Sequence, residues 1–402
     1  MTAKREMISV DQAKIWIAER SELLGTERVS LLESLGRVLA EDIFAPISIP
    51  GFAQSAMDGY AFNFDSYCEA GKLELIGEVA AGSTDVFQKN SPYQSVRIFT
   101  GAPVPEGLDT VLMQEKARIE NGFLFVEDTS LVAGRNVRLV GSEIAIGDLA
   151  LAKSVTVTAA GIGFLASLGL TSVLVVANPN IGIIITGDEL IQAGKPLMHG
   201  QVYESNTLLL QAALLQAGFS KVKMYYATDD LAILSEAMDI AIGENNLVLL
   251  TGGVSVGDYD FVIRAANIVG VSTVFHTIQQ KPGKPIFFGI TPKNSLVFGL
   301  PGNPASVLTC FYEYVLLALQ GLTGRKIELE SKQLPLIGKY KKIGSFTHFL
   351  KGKFDGQGVR LLGGQESFRL GSFSVANCLV VIPSDTEWVE TGDLVEVHVL
   401  NL

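Results

Sequence analysis

Cysteine and histidine are scarce in this 402-residue chain, and their scarcity closes off two common ways of building a site. The three cysteines, Cys68, Cys310 and Cys378, are odd in number and far apart, which argues against both a disulfide framework and a zinc knuckle. The four histidines, His199, His276, His348 and His398, are equally scattered, so no local pattern points to a multi-histidine metal centre. Positive charge is short as well: 31 Lys and Arg stand against 42 Asp and Glu, a formal net charge of -11. A nucleic-acid binder needs clustered cations to displace counterions from phosphates, so that class is excluded. No run of about 20 apolar residues is evident, and the first seven residues carry Lys4, Arg5 and Glu6 with no apolar segment behind them. The expectation is a cytoplasmic protein with no membrane span. No strand leads into a Gly-x-Gly-x-x-Gly turn followed by an acidic residue about 20 positions on, which argues against a nicotinamide-dependent oxidoreductase.

What is present is a large apolar fraction, 48% of residues against 18% charged, enough to build real cores. A chain of this length exceeds what one core usually supports, so several domains are expected. Ser9 with Gln12 three positions later signals a capped first helix ending near Gly25, and an apolar segment follows over residues 29–40. Residues 50–140 read as a β-rich domain, with Asn121-Gly122 as a hairpin turn between two apolar runs. Residues 1–49 with 141–178, including a helix over 158–168, read as a helical linking domain. From Pro179 strands and helices alternate through residue 325, which predicts a mostly parallel sheet in a three-layer α/β/α domain. Beyond it, residues 326–402 read as a carboxyl-terminal β domain, barrel-like or a sandwich. The expected fold class is thus multidomain α/β plus β.

In an open parallel sheet, ligands bind where loops leave the carboxyl ends of the strands. Three such loops stand out. The run Leu247 to Leu250 enters Thr251-Gly252-Gly253-Val254-Ser255-Val256-Gly257-Asp258-Tyr259-Asp260, where glycine permits close backbone approach and Asp258 or Asp260 could cap a helix or hold a metal. The run Ile181 to Ile185 ends in Thr186-Gly187-Asp188-Glu189, two carboxylates that helix capping alone could explain. The third loop, Leu300-Pro301-Gly302-Asn303-Pro304, carries two prolines that stiffen it beyond the needs of an ordinary turn. Lys281-Pro282-Gly283-Lys284-Pro285 would be a solvated surface loop, yet it could also supply local positive charge for an anion. Asp188, Glu189, Asp229, Asp230, Asp258 and Asp260 offer oxygen donors suited to Mg²⁺. In the β-rich region, Ser55-Ala56-Met57-Asp58-Gly59-Tyr60 and Thr100-Gly101-Ala102-Pro103-Val104-Pro105 read, by themselves, as turns.

Taken in order, these segments, with Tyr203-Glu204-Ser205-Asn206 and Asp229-Asp230, resemble the molybdopterin molybdenumtransferase family, called MoeA in bacteria and represented in animals by the carboxyl-terminal part of gephyrin. The resemblance spans nearly the whole chain. It implies an elongated homodimer of four-domain subunits whose α/β domain binds the pterin, its cleft completed by the partner's β-rich domain. The implied reaction inserts molybdate into adenylylated molybdopterin, forms molybdenum cofactor and releases AMP with Mg²⁺ assisting. A separate molybdopterin adenylyltransferase is a possible partner.

The resemblance also implies roles for individual residues. Asp58, Glu189, Asp229 and Asp260 would position metal and molybdate, and Lys281 and Lys284 would stabilise negative charge. Thr100, Gly101, Thr186, Gly187, Gly252, Gly253, Ser255, Asp258, Pro301, Gly302, Asn303 and Ser367 would bind substrate. Three departures stand out: Glu143 follows Gly141-Ser142 where the family commonly has Gly-Glu-Asp, Thr277 lies where a lysine is common, and Lys351 stands where an arginine is usual. A lysine restored at 277 would be expected to raise activity, unless Gln279, Gln280 or Lys351 already fills that role. The alternative expectation is a catalytically weak pterin-binding or scaffold member of the same family.

Overall fold

The structure is a computed structural model that describes residues 7–83, 90–252 and 261–400. The chain divides into two compact units, residues 1–27, 36–38 and 176–402 forming one, and residues 28–35 and 39–175 the other.

The first unit is built on a six-stranded sheet. Its strands are β1 (Ile181–Thr186), β2 (Val222–Ala227), β3 (Leu247–Thr251), β4 (Ser272–Thr277), β5 (Pro285–Ile290) and β6 (Leu296–Leu300), in the order β2-β1-β3-β6-β5-β4. The first four in that order are parallel, β5 runs opposite to them, and β4 pairs antiparallel with β5. All six residues of β1 and all five of β3 are buried, as a strand covered on both faces requires. Alternation along β1 sorts its side chains. Ile181, Ile183 and Ile185 pack with Leu210, Ala213 and Leu214 of helix α2 (Asn206–Gln216), while Ile184 joins Leu234 and Met238 of α3 (Leu231–Glu244) and Val262 of α4 (Phe261–Ile268).

The amino-terminal helix α1 (Val10–Ala18) adds Val10, Ala13 and Ile17 to the first of these cores. Ser9 caps it, its hydroxyl accepting the Gln12 N–H at 3.1 Å, though the helix stops well short of Gly25. Residues 304–323 form a 20-residue apolar helical run, long enough to cross a membrane, but its most apolar 18-residue stretch, of mean hydropathy 1.4, is 83% buried inside the protein. This run consists of α5 (Pro304–Cys310), a π-helical turn (Phe311–Val315) and α6 (Leu316–Thr323).

Beyond it the chain turns to antiparallel strands. Thr347–Asp355, Cys378–Ile382, Leu394–Val399 and Ser331–Pro335 pair in that order, with Gly358–Leu361 added beside Thr347–Asp355, whose other edge takes the short strand Gln280–Lys281, from before the run, in parallel. A bridge from Leu336 to Val359 returns the path toward its start. Residues alternate again: Cys378, Val380 and Ile382 fill the inside of this sheet, while Leu379 and Val381 face the α/β core.

In the second unit, six strands run in the order Thr110–Met113, Gly59–Phe62, Gln94–Ile98, Leu73–Val79, Phe123–Val126 and Ala117–Glu120. The turn between the last two is Asn121-Gly122, both with positive φ (49° and 79°), the geometry a two-residue hairpin favours. The remainder of that unit packs Leu31, Leu39, Ile43, Val157, Leu165, Val173 and Val175 around the Thr158-capped helix Ala159–Ser167.

Candidate functional site

In the order β2-β1-β3, the chain leaves β1 toward one side of the sheet and later continues on the other. The strand order therefore reverses between β1 and β3, the place where open parallel sheets form a crevice beyond their carboxyl ends. The loops after both strands carry the glycines singled out in the sequence. Gly252 has φ +89°, and a Cβ there would stand 2.6 Å from the Thr186 carbonyl oxygen, so the two strand ends meet too closely for any side chain. Gly187 has φ +141°, and a Cβ on it would meet Leu190 at 2.9 Å.

Hydrogen bonds fix the rim. The Thr186 hydroxyl donates to the Asp229 carboxylate at 2.8 Å, and the Asp229 N–H donates to Asp188 at 3.4 Å, so hydrogen bonds join the loops after β1 and β2. Asp230 is occupied differently. Its carboxylate caps α3 by accepting the N–H groups of Ala232 and Ile233 at 2.9 and 3.1 Å, which accounts for it structurally.

Two cavities open at this edge. One of about 660 Å³ is lined by Gly187, Glu204, Thr207, Gln211 and Tyr226 among others. The other, about 570 Å³, brings together Glu189, Tyr203, Asn206, Pro301, Gly302 and Asn303. The first turn of α2 serves both. Asn206 donates to the Gly302 carbonyl at 2.8 Å, yet its own amide oxygen and the Thr207 hydroxyl are buried without a partner. Buried orphan acceptors cost stability unless a ligand or water meets them, so they mark the cavities as polar binding space. Sequence reading placed Asn206 in a matching segment but gave no reason to single out Thr207.

Ser367 arrives from the antiparallel region. Its hydroxyl accepts from Asn303 at 2.8 Å and its carbonyl from the Ala305 N–H at 3.1 Å, which seats it beside the 301–304 loop. Lys351 holds the segment in place: its buried ammonium donates to the carbonyls of Gly364, Glu366 and Arg369 at 2.6, 3.3 and 3.0 Å. With all three protons used on backbone, Lys351 shapes the loop carrying Ser367 and has none left for an anion. Burial pushes its pKa down.

Lys281 is exposed and Lys284 half-buried with its ammonium 5.7 Å from the Phe346 ring, so the loop presents two cations. A gain from a lysine at Thr277 would require an open site, and Thr277 is buried. It is 9% exposed at the end of β4, paired in register with Pro285, and a lysine there would have to be accommodated inside.

In the second unit, Asp58 accepts both the N–H and the hydroxyl of Thr100 at 2.7 and 2.8 Å, tying the two loops of that unit together. The Thr100 N–H, then its hydroxyl, hold the Asp58 carboxyl below the usual carboxylate range, with Arg97 adding a smaller pull. Gly101 beside it has φ +83° and donates to the Ser55 carbonyl at 2.8 Å. Arg97 was missed in the sequence. It donates to the Gly59 carbonyl at 3.2 Å and lies over Tyr60 and Phe99, contacts that only the folded sheet creates.

Gly253, Ser255, Asp258 and Asp260 lie outside the described residues. Among the described residues, no three Asp, Glu, His or Cys side chains come together as a metal site. Carboxylate oxygens at Asp188, Glu189 and Asp229 have the right chemistry for Mg²⁺, but by themselves they do not complete its coordination.

Comparison with known proteins extends these observations over the whole chain. Residues 8–169 match the MoeA N-terminal region (domain I and II), residues 182–321 the "Probable molybdopterin binding domain", and residues 333–400 the MoeA C-terminal region (domain IV). A molybdopterin molybdenumtransferase of Haemophilus influenzae is 33% identical, covering 98% of this chain and 99% of its own. One from Bacillus subtilis is 32% identical over 99% of this chain and 95% of its own. Among solved structures, the molybdopterin biosynthesis MoeA protein from Pyrococcus horikoshii superposes with a TM-score of 0.80 at 28% identity, covering 98% of this chain and all of that one.

Proposed function

Since the chain belongs to the molybdopterin molybdenumtransferase family, we propose that it inserts molybdate into adenylylated molybdopterin, forming molybdenum cofactor and releasing AMP. The observation that carries this reading is the crevice between β1 and β3, where glycine loops, hydrogen-bonded carboxylates and cavities with orphan polar atoms meet at one edge of the sheet. Such an edge holds anions by backbone N–H groups and helix amino termini, which suits pterin phosphate and adenylate.

The chemistry asked of the protein is positioning and charge stabilisation, with no covalent nucleophile. Gly187 and Gly252 let backbone approach the phosphates beside Thr186, and the family resemblance alone assigns Gly253, Ser255 and Asp258 to substrate binding. Pro301, Gly302 and Asn303 line the second cavity, Ser367 is hydrogen-bonded to Asn303, and Lys281 and Lys284 balance oxoanion and phosphate charge. Mg²⁺ dependence belongs to the same proposal, with Glu189, Asp229, Asp260 and Asp58 as oxygen donors. Asp58 would come from a partner subunit in a homodimer, and Thr100 and Gly101 would hold its loop in shape. An adenylyltransferase would supply the substrate.

The test is molybdate-dependent AMP release from adenylylated molybdopterin. Release that does not depend on molybdate, or none at all, would leave a pterin-binding protein without the transfer. Glu189→Ala and Asp260→Ala should each abolish insertion in folded protein, and full activity in either would remove that residue from the site. Chelation should stop the reaction and added Mg²⁺ restore it.

A further inference from the structure

Beneath the lysine loop lies a buried polar network. Gln280 is fully buried although its neighbour Lys281 is exposed. Its amide nitrogen donates to the carbonyls of Pro282 and Gly283, at 3.0 and 3.1 Å, and sits 3.7 Å from the Cys310 sulfur. Its amide oxygen accepts from the Tyr314 hydroxyl. One side chain therefore satisfies two carbonyls of the very loop that carries the lysines, in a place water does not reach. The loop is pressed hard against this network. Gly283 has φ +80°, and a Cβ on it would stand 2.6 Å from the Cys310 sulfur and 2.9 Å from the Gln280 nitrogen.

Tyr314 reaches Gln280 from the π-helical turn within the 304–323 run. Such turns are uncommon and occur frequently at functional sites. That run begins at Pro304, directly after the Pro301-Gly302-Asn303 wall of the second cavity. The network thus ties the lysine loop to the helical run that starts at the wall of the second cavity.

We propose that Gln280, anchored by Tyr314, is a positioning residue that sets Lys281 and Lys284 against the substrate's anionic groups. This rests on the reading of the chain as a molybdenum-inserting enzyme. Long lysine side chains contribute to transition-state stabilisation only when their backbone is held before the substrate arrives. Gln280→Met keeps the volume but removes the side chain's hydrogen bonds, so the Pro282 and Gly283 carbonyls lose their donor and the loop its tie to Tyr314.

The experiment is a mutant cycle on molybdate-dependent AMP release. Gln280→Met should lower kcat/KM about tenfold in folded protein, and Tyr314→Phe, which keeps the ring packing, should lower it by a smaller factor. In a Lys281→Met, Lys284→Met background neither substitution should cause further loss, because the groups they position are gone. A structural role alone would give the same loss in both backgrounds, and that result overturns the proposal, as does wild-type kcat/KM in folded Gln280→Met. If Gln280→Met does not fold, Tyr314→Phe decides by the same comparison. Failure of the underlying reading looks different: wild-type protein releases no AMP with molybdate, or the lysine variants retain full activity, and the positioning role falls with it.

Discussion

Gly252 is the residue where backbone geometry and function meet most tightly. Its φ of +89° and the 2.6 Å approach to the Thr186 carbonyl mean that Gly252→Ala must both strain the backbone and push two strand ends apart. The strain alone costs roughly 1–3 kcal/mol. Thermal unfolding should show that loss, and AMP release should fall further than stability does, since the displaced strand end borders the crevice. Unchanged unfolding would mean that the strand ends part without cost.

Two histidines act on stability in opposite directions. Burial, with Lys281 and Lys342 nearby, pushes His348 down from 6.5 to about 4, while its ring shares a 2.8 Å hydrogen bond with Tyr340. The unfolded chain takes up that proton first as pH falls, so the stability His348 contributes is whole above 6.5 and lost between 6.5 and about 4. At His398 burial lowers the pKa, but the hydrogen bond and charge of buried Glu313, which also pairs with Lys14 at 2.7 Å, raise it on balance. That contribution is present below the unfolded value and lost as pH rises through the folded one. Denaturant unfolding across pH should show the acid limb flattened in His348→Gln and the other limb flattened in His398→Gln. An acid limb unchanged in His348→Gln would assign it to carboxylates instead.

At the scale of elements, what the sequence disclosed was what neighbours in the chain decide. The Ser9 cap, the Asn121-Gly122 hairpin and the alternation from residue 179 onward all follow from spacing within a few residues. The antiparallel strand β4 was not read, because its partner β5 supplies its reason and Pro285 interrupts the pattern. Lys351 shows the same limit. Its position suggested an anion contact, whereas its partners are three carbonyls 13 to 18 residues further on. Lys351→Met should therefore cost about 1.5–3 kcal/mol, the range for hydrogen bonds to a charged group, and raise KM by loosening the segment that carries Ser367. Equal stability with lower activity would return Lys351 to the substrate. At Thr277, buried beside Pro285, Thr277→Lys should destabilise by about 1–3 kcal/mol through overpacking and bring no gain at limiting molybdate, the opposite of what position alone suggested.

At the scale of the whole molecule, the decisive question is how many chains make one cleft. Asp58 is fixed by Thr100 in one unit, the glycine loops of the crevice belong to the other, and the proposed homodimer assigns the lent Asp58 to a second copy. The homodimer reading predicts complementation between two inactive variants. Asp58→Ala spoils the cleft a subunit lends to, and Glu189→Ala spoils the cleft a subunit owns. When the two are unfolded together and reassembled, half the dimers pair one of each, and in these one cleft of two receives both intact carboxylates. About one quarter of wild-type sites should then recover, as two-fold symmetry with random pairing requires. If each cleft draws both residues from one chain, the mixture stays as inactive as its components. A sedimentation mass of one chain at micromolar concentration would rule out the shared cleft without any assay.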